Sequence, residues 1–440
     1  MNKQAFILLT LCSFTLLTAH AQRKKKIREG FERSPQQELV YDNRSYLDAI
    51  NTVQLFPLGK ESQLPIYTLG SQDQLLLSFD DLRADVRSYY YGIEHCNANW
   101  EPSRVSPLDY AQGYNEDRLD DYAQSQGTFQ AYTHYKVAFP NEYIRPKIAG
   151  NYLLKVYEDA DKTRLVVTRR FYVVRPLIQV GTDILPSVQV AKRMTNQKID
   201  VMLRTPSLSI PNPERDMQVH VFQNQREDNK MVLTKPMFIG NNEIKYNNSE
   251  TLDFPGNNEF RFVDLRSFRL GSNRVQQIQN DSLISINVLA DEDLRDANYA
   301  DTYDENGKFY IRNLDFENPE IQSDYADVHF SLQTNQKITG NIYLVGGFNN
   351  FQRNEHNRLT YNPTSKNWEV ALKLKQGLYD YEYVLETPEG KIITNAFTNS
   401  FYATGNDYLV LVYNRRIGTY WDELLGVGKV SIHNKTNKNQ

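Results

Sequence analysis

The sequence predicts an all-β chain of consecutive β-sandwich domains, and three observations carry that prediction. Apolar and polar residues alternate with a period of two in runs from about residue 50 to 415. Clusters of Pro, Gly and Asn separate those runs, and no segment sustains an amphipathic helical period over several turns. The composition leans the same way: 29 Tyr and 21 Phe against 3 Trp supply side chains that suit a pleated, half-buried surface.

In chain order, Leu75, Leu77 and Phe79 alternate with Leu76 and Ser78, and Ile199, Val201 and Leu203 with Asp200, Met202 and Arg204. Ile284, Ile286 and Val288 alternate with Ser285 and Asn287, and Val328, Phe330 and Leu332 with Asp327, His329 and Ser331. Trp368, Val370, Leu372 and Leu374 alternate with Glu369, Ala371, Lys373 and Lys375. Each run reads as a strand with one buried and one wetter face. Residues 291–300 are the one stretch with room for a short helix. Turns fall at Pro140-Asn141, Pro211-Asn212-Pro213, Pro255-Gly256, Asn306-Gly307 and Pro388-Glu389-Gly390.

Domain boundaries follow from the same punctuation. A closing strand near Arg164 to Val174 meets the linker Arg175-Pro176, and the polar stretch Asn313 to Asp324 separates a second block from a third. The expected domains are residues 38–175, 177–318 and 319–423, each of ordinary size, followed by a polar tail over 424–440.

The first residues set the compartment. Residues 1–21 read as a secretory signal peptide, with Lys3 as its positive start, an apolar run from Ala5 to Leu17, and a small-x-small site of Ala19 and Ala21 before Gln22. That run is shorter than the roughly 18–20 residues needed to span a bilayer, so cleavage is expected rather than anchorage. Residues 22–37, opening Arg23-Lys24-Lys25-Lys26, read as a basic, flexible segment. The mature chain keeps a single thiol, Cys96, so its stability must come from packed cores and not from an internal disulfide.

Charge excludes further classes. A formal net charge of −4 lacks the basic excess of a nucleic-acid binder, and no nucleic-acid partner is expected. An outer-membrane barrel needs lipid-facing strands of about ten residues with an uninterrupted apolar face, whereas these runs are mostly shorter. No membrane span is therefore expected.

Reactive chemistry is sparse too. The seven histidines form no HxH or HExxH pair, and glycine-rich phosphate loops and GxSxG elbows are missing. Neighbours on a strand point to opposite faces, so His95 and Cys96 cannot meet as base and nucleophile, and Cys96 reads as a small buried hydrophobe. Asp80-Asp81, Asp120-Asp121 and Asp291-Glu292-Asp293 could pair as carboxylates for glycoside hydrolysis, but loop charge or helix capping is the simpler reading. No enzyme, metal or cofactor is expected.

Two resemblances sharpen this. Asn341-Ile342-Tyr343-Leu344-Val345-Gly346-Gly347-Phe348-Asn349-Asn350-Phe351, then Asn367-Trp368-Glu369, then Gly377-Leu378-Tyr379-Asp380-Tyr381-Glu382-Tyr383, resembles the early-set immunoglobulin-like domains that include glycogen- and starch-binding modules. The resemblance implies an early-set immunoglobulin-like sandwich for the last block, and three consecutive immunoglobulin-like β-sandwich domains are the fold expected of the chain. Where those modules place a Trp after Phe-Asn-x and a Lys in the last strand, this chain has Phe351 and Glu382, so Phe351, Trp368 and Glu382 mark a degenerate glycan site. Tyr379, Tyr381 and Tyr383, alternating with Asp380 and Glu382, read as a core face. A periplasmic or surface glycan-binding protein is the second reading of function, with a glycan partner not expected.

The second resemblance spans nearly the whole mature chain. It runs from Ser88-Tyr89-Tyr90-Tyr91-Gly92-Ile93-Glu94-His95-Cys96-Asn97-Ala98-Asn99-Trp100, through Tyr132-Thr133-His134-Tyr135, Phe139-Pro140-Asn141-Glu142 and Gly150-Asn151-Tyr152-Leu153-Leu154, to Asn406-Asp407-Tyr408-Leu409-Val410. This is similar to the plug protein family of the type IX secretion system of Bacteroidetes. The resemblance implies a periplasmic three-domain β protein that docks on a large outer-membrane β-barrel translocon and occludes it. On that reading Tyr90, Trp100, Tyr132 and Tyr135 are candidate partner contacts, with core packing or strand pairing as the alternative for each.

Overall fold

A computed structural model describes residues 33–280 and 283–432. The signal-peptide reading, with Ala19, Ala21 and Gln22, lies outside the described residues, as do most of the basic segment and the last eight positions. Regular structure is almost all strand. Among the described residues helix is confined to single turns such as Pro107–Tyr110, Pro213–Asp216 and Pro319–Gln322, each opened by a proline already set to helical φ. No helix forms over 291–300. Asp291–Glu292 is instead a short strand beside Tyr325–Gln333, because Asp291 is drawn into the core by partners described below.

The first sandwich packs the sheet Ile50–Pro57, Leu75–Asp81, Thr133–Phe139 and Asp121–Gln124 against Tyr89–Cys96, Gly150–Glu158 and Leu165–Val174. Leu75, Leu77 and Phe79 point inward and are buried with Tyr152, Leu154, Val156, Phe171 and Val173. At roughly 1.5–3 kcal/mol per fully buried large apolar side chain, this core outweighs any single polar contact at its edge.

The second sandwich is where connectivity departs from the expected boundaries. Ile199, Val201 and Leu203 share a core with Val219 and Val221, and also with Tyr408, Val410, Val412 and Leu425 from the far end of the chain. The strand Asp407–Asn414 pairs along Met217–Gln223 on one side and Glu423–Ser431 on the other. Residues 424–431 are therefore a strand with Leu424 and Leu425 fully buried, not a polar tail. Two glycines disguise it. A Cβ on Gly426 or Gly428 would meet Val180 at 2.8 or 2.5 Å, so glycine is what lets Gln179–Pro186 lie across this strand.

The third sandwich is inserted into the second. Arg261–Asp264, Ile284–Val288 and Phe309–Ile311, expected in the middle block, pair instead with Gly377–Glu386 or Tyr325–Gln333. Their side chains join Val328, Phe330, Leu332, Tyr379, Tyr381 and Tyr383 in one core. The expected boundaries at 318 and 423 thus cut across cores. Alternation identifies a strand but not its partner.

The first two sandwiches share a ten-stranded sheet, continuous from Met231–Leu233 through Asp407–Asn414, Glu423–Ser431 and Leu165–Val174 to Tyr89–Cys96. Its inner strands Asp407–Asn414, Leu165–Val174 and Gly150–Glu158 are buried on both faces over most of their length. Leu154 and Val156 enter the first core while Leu153 points the other way; Val410 and Val412 enter the second while Leu409, Leu411 and Tyr413 do the same. These outward residues meet with Cys96, Trp100, Tyr172 and Phe222 in a separate cluster that joins the two sandwiches.

Candidate functional site

Buried charged groups form three junctions between sandwiches, and Asp80 is the one among them that the paired carboxylates of the sequence had offered as reactive. At the first, Asp80 of strand Leu75–Asp81 is completely buried and receives partners from two domains. His134 Nδ1 lies 2.6 Å from Oδ1, while Lys375 Nζ and the Tyr325 hydroxyl each lie 2.6 Å from Oδ2. Lys375 also donates to the Glu320 carbonyl at 2.8 Å and stands 4.2 Å from the Tyr132 ring centroid. Burial alone would raise the Asp80 pKa, but Lys375 and His134 outweigh it and hold the carboxyl below its ordinary range. Burial pulls the Lys375 ammonium down.

At the second junction the turn after Met217–Gln223 sends Arg226 into the third sandwich. Its Nε and Nη2 donate to Asp228 at 2.9 and 2.8 Å, Nη1 pairs with Glu382, and the guanidinium lies 4.4 Å over the Phe351 ring. At the third, Tyr172 donates to Glu227 at 2.9 Å and Trp100 Nε1 to the same oxygen at 3.3 Å, with Arg170 stacked 4.5 Å over the indole. Nearby the Tyr413 hydroxyl donates to Asn151 at 2.8 Å across the same joint.

Other carboxylates are likewise spent on structure. Asp81 holds Arg83 and the Tyr89 hydroxyl. Asp291, 1% exposed, binds Arg261, Arg274 and the hydroxyls of Tyr381 and Tyr383. Loop charge and helix capping, expected for these acids, give way to buried ion pairing for Asp80, Asp81 and Asp291. His95 packs on Tyr110 and Tyr152, whereas Cys96 faces the joint cluster, so the two do lie on opposite sides of their strand. Burial lowers the His95 pKa to about 4 and raises the Cys96 thiol to about 12. Among the described residues no group of three or more His, Cys, Asp or Glu side chains could hold a metal ion, and no helix is long and apolar enough to cross a membrane.

The candidate contacts fall unevenly. Trp100, Tyr132 and Tyr135 are buried, at 4%, 1% and 0% exposure, and so present no face to a partner. Trp100 and Tyr132 serve the junctions, with the Tyr132 hydroxyl donating to the Ser323 carbonyl at 2.8 Å, and Tyr135 stacks on Phe79 in the first core. Tyr90 is half-buried, in register with Tyr157 and Arg118. Of the degenerate glycan set, Phe351 is buried under Arg226, Glu382 neutralises that arginine, and half-buried Trp368 packs on the third core. No open aromatic face remains at Phe351. Ser34, expected in a flexible segment, is buried: its amide donates to Glu158 at 2.7 Å and its carbonyl accepts from Arg164 at 2.8 Å. Sequence reasoning missed Lys375 and Arg226; its one signal was the carboxylate at position 382 where the resembled modules carry a cation.

The fold and these junctions define a multi-sandwich β protein whose buried charges hold its domains to one another. Residues 50–175 match the Type 9 secretion system plug protein 1st domain. The resemblance read from the sequence is thereby borne out over residues 50–175, which are similar to the first domain of the type 9 secretion plug proteins. A crystal structure of a hypothetical protein from Parabacteroides merdae ATCC 43184, at 2.30 Å resolution, is 29% identical, with a TM-score of 0.86, covering 90% of this chain and 100% of that one. No curated protein matches the chain. The matched domain supports a role related to type 9 secretion.

Proposed function

We propose that the chain is a non-catalytic periplasmic plug that binds the outer-membrane translocon barrel of the type 9 secretion system and occludes it between cargoes. The observation that carries this reading is the match of residues 50–175 to the first domain of the plug family. The junctions support it physically. A stopper must resist deformation, and a body whose sandwiches share a sheet and are cross-tied by buried ion pairs is stiff. Export would follow cleavage before Gln22, which N-terminal sequencing of the mature protein checks.

The test is affinity purification of the intact tagged chain from mildly solubilised outer membranes. Recovery of a large β-barrel protein with the chain is expected, together with raised permeability to large polar antibiotics when the gene is deleted. A chain recovered without any barrel, from cells whose permeability is unchanged by deletion, overturns the proposal. The glycan reading has no comparable support, since Arg226 already covers Phe351.

A further inference from the structure

The hairpin of the second sandwich that joins Gln179–Pro186 to Asn196–Arg204 carries a longer loop than its closure requires. Roughly two to five residues close a hairpin, yet this loop takes residues 187–195 and includes one turn of 3-10 helix, Val190–Lys192. Its base is firmly held. Ser187 is buried and donates to Asp253 at 2.9 Å. The Met194 carbonyl accepts from the Tyr402 amide at 2.8 Å, and the Thr195 carbonyl accepts from the Ser400 hydroxyl at 2.7 Å. The fold thus fixes where the tip stands, and the tip's side chains nonetheless stay out of the core.

What the tip exposes is apolar and cationic. Val190 and Met194, at 79% and 78% exposure, rank with Leu108 as the most exposed large apolar side chains among the described residues. Leu185 and Val188 accompany them at 45% and 56%. Lys192 and Arg193 stand between Val190 and Met194, exposed and, among the described residues, without a carboxylate partner. No acid occurs from Ile184 to Ile199, in a chain whose net charge is −4. The centre of a protein-docking patch is built round Tyr, Trp and Arg, with Leu and Val under-represented. Here the apolar groups are aliphatic, carried on a loop and interleaved with cations. That pattern suits a boundary of water and lipid, where apolar tips enter the acyl region while Lys and Arg stems reach back to phosphate.

We propose that this loop is a membrane-seating element for an anionic phospholipid surface. Val188, Val190 and Met194 enter the headgroup boundary to a depth of about 5–10 Å, and Lys192 and Arg193 pair with lipid phosphates. Each cation close to such a surface gives about a fivefold gain in affinity, so the pair gives about thirtyfold. Attachment of this kind is peripheral and reversible. The inference stands on the loop alone and does not rest on translocon docking.

The test is oxidative footprinting of the intact chain, purified from the cells that make it, on vesicles of phosphatidylethanolamine with about one third phosphatidylglycerol. Met194 is the probe, because sulfoxide formation follows access to the sulfur. Met237, 68% exposed and next to Phe238–Ile239 at the opposite edge of the same sheet, is the internal control. Dilute peroxide should oxidise Met194 about fivefold more slowly with vesicles than without, and Met237 at an unchanged rate. Lys192→Gln/Arg193→Gln should raise the lipid concentration for half-protection about thirtyfold, and Val190→Asp about tenfold. These side chains are exposed, so the substitutions change folding stability little. Footprinting is preferred to flotation because Arg23-Lys24-Lys25-Lys26 is a second basic stretch. An unprotected Met194, equal slowing of both methionines, or equal protection on neutral phosphatidylcholine overturns the proposal. So does protection by a co-purified membrane protein in detergent and not by vesicles, which would make the loop a protein contact. Vesicle protection of Met194 in a chain that recovers no barrel supports this inference and counts against the plug.

Discussion

Replacing Lys375 by Met keeps the stem volume and removes the charge that meets Asp80. Three interactions go with it: the 2.6 Å pair to Asp80, the 2.8 Å bond to the Glu320 carbonyl, and the ammonium 4.2 Å from the Tyr132 ring. Both partners of the pair are about 1% exposed, so the abandoned carboxylate cannot recover its loss from water. Breaking a buried pair from one side costs about 3–5 kcal/mol, and the lost cation–π contact, worth about 0.5–2 kcal/mol, is part of that figure rather than an addition. His134 and Tyr325 still donate to Asp80, which places the expected loss near the lower end, about 3 kcal/mol. Asp80→Asn should cost a similar amount, because it strands the ammonium. The double variant Asp80→Asn/Lys375→Met should cost well below the sum, since neither charge is then left alone. Equilibrium urea unfolding measures all three, and hydrogen exchange along Leu75–Asp81 and Tyr325–Gln333 shows whether the loss falls at the junction. A single-variant cost under about 1 kcal/mol, with additivity in the double, would mean that Asp80 and Lys375 do not tie the first sandwich to the third.

Three further predictions probe other links. A Cβ on Gly256 would stand 1.9 Å from the Phe401 carbonyl oxygen, so Gly256→Ala must spread the two strands of chain that enter and leave the inserted sandwich. A loss of about 3 kcal/mol or more is expected by chemical denaturation, and a loss under about 1 would show that the crossing is loose. Asp380, whose pKa burial raises to about 7, keeps its proton in the folded chain where the unfolded chain has released it near pH 4. Its contribution is present below that lower value and is lost as pH rises through about 7. Moving from pH 8 to pH 5 should therefore stabilise the native protein by up to about 3 kcal/mol more than Asp380→Asn; equal pH profiles would refute the assignment. Glu227→Ala removes the acceptor shared by Tyr172 and Trp100 and one of the two carboxylates beside Arg170, leaving Asp42 at 3.2 Å as the other. About 2–4 kcal/mol should be lost, with a red shift in tryptophan emission as water reaches Trp100; an unchanged emission spectrum counts against the joint.

What was legible in the sequence was what a local period can carry. Leu75, Leu77 and Phe79 sit where alternation puts them, and Tyr379, Tyr381 and Tyr383 line the third core, at 2%, 0% and 3% exposure. Partners were not legible, because register between Met217–Gln223 and Asp407–Asn414 is settled by shared burial nearly two hundred positions apart. The junctions were hidden for a related reason. Asp80, Lys375 and Arg226 look like ordinary strand and turn charges until two domains remove them from water together. One departure did point at a junction: the carboxylate at position 382, which spoils a glycan site, is what a buried guanidinium needs. The abundance of tyrosine then has a physical cause. Strands buried on both faces leave no water to satisfy a buried charge, and a tyrosine fills core volume while its hydroxyl supplies the missing donor. Tyr325 does so for Asp80, Tyr381 and Tyr383 for Asp291, Tyr89 for Asp81 and Tyr172 for Glu227. Exchanging such a tyrosine for phenylalanine preserves the packing and orphans a carboxylate oxygen. Two of these hydroxyls, Tyr325 on Asp80 and Tyr172 on Glu227, cross between sandwiches, so there the exchange would loosen a junction as well as a core.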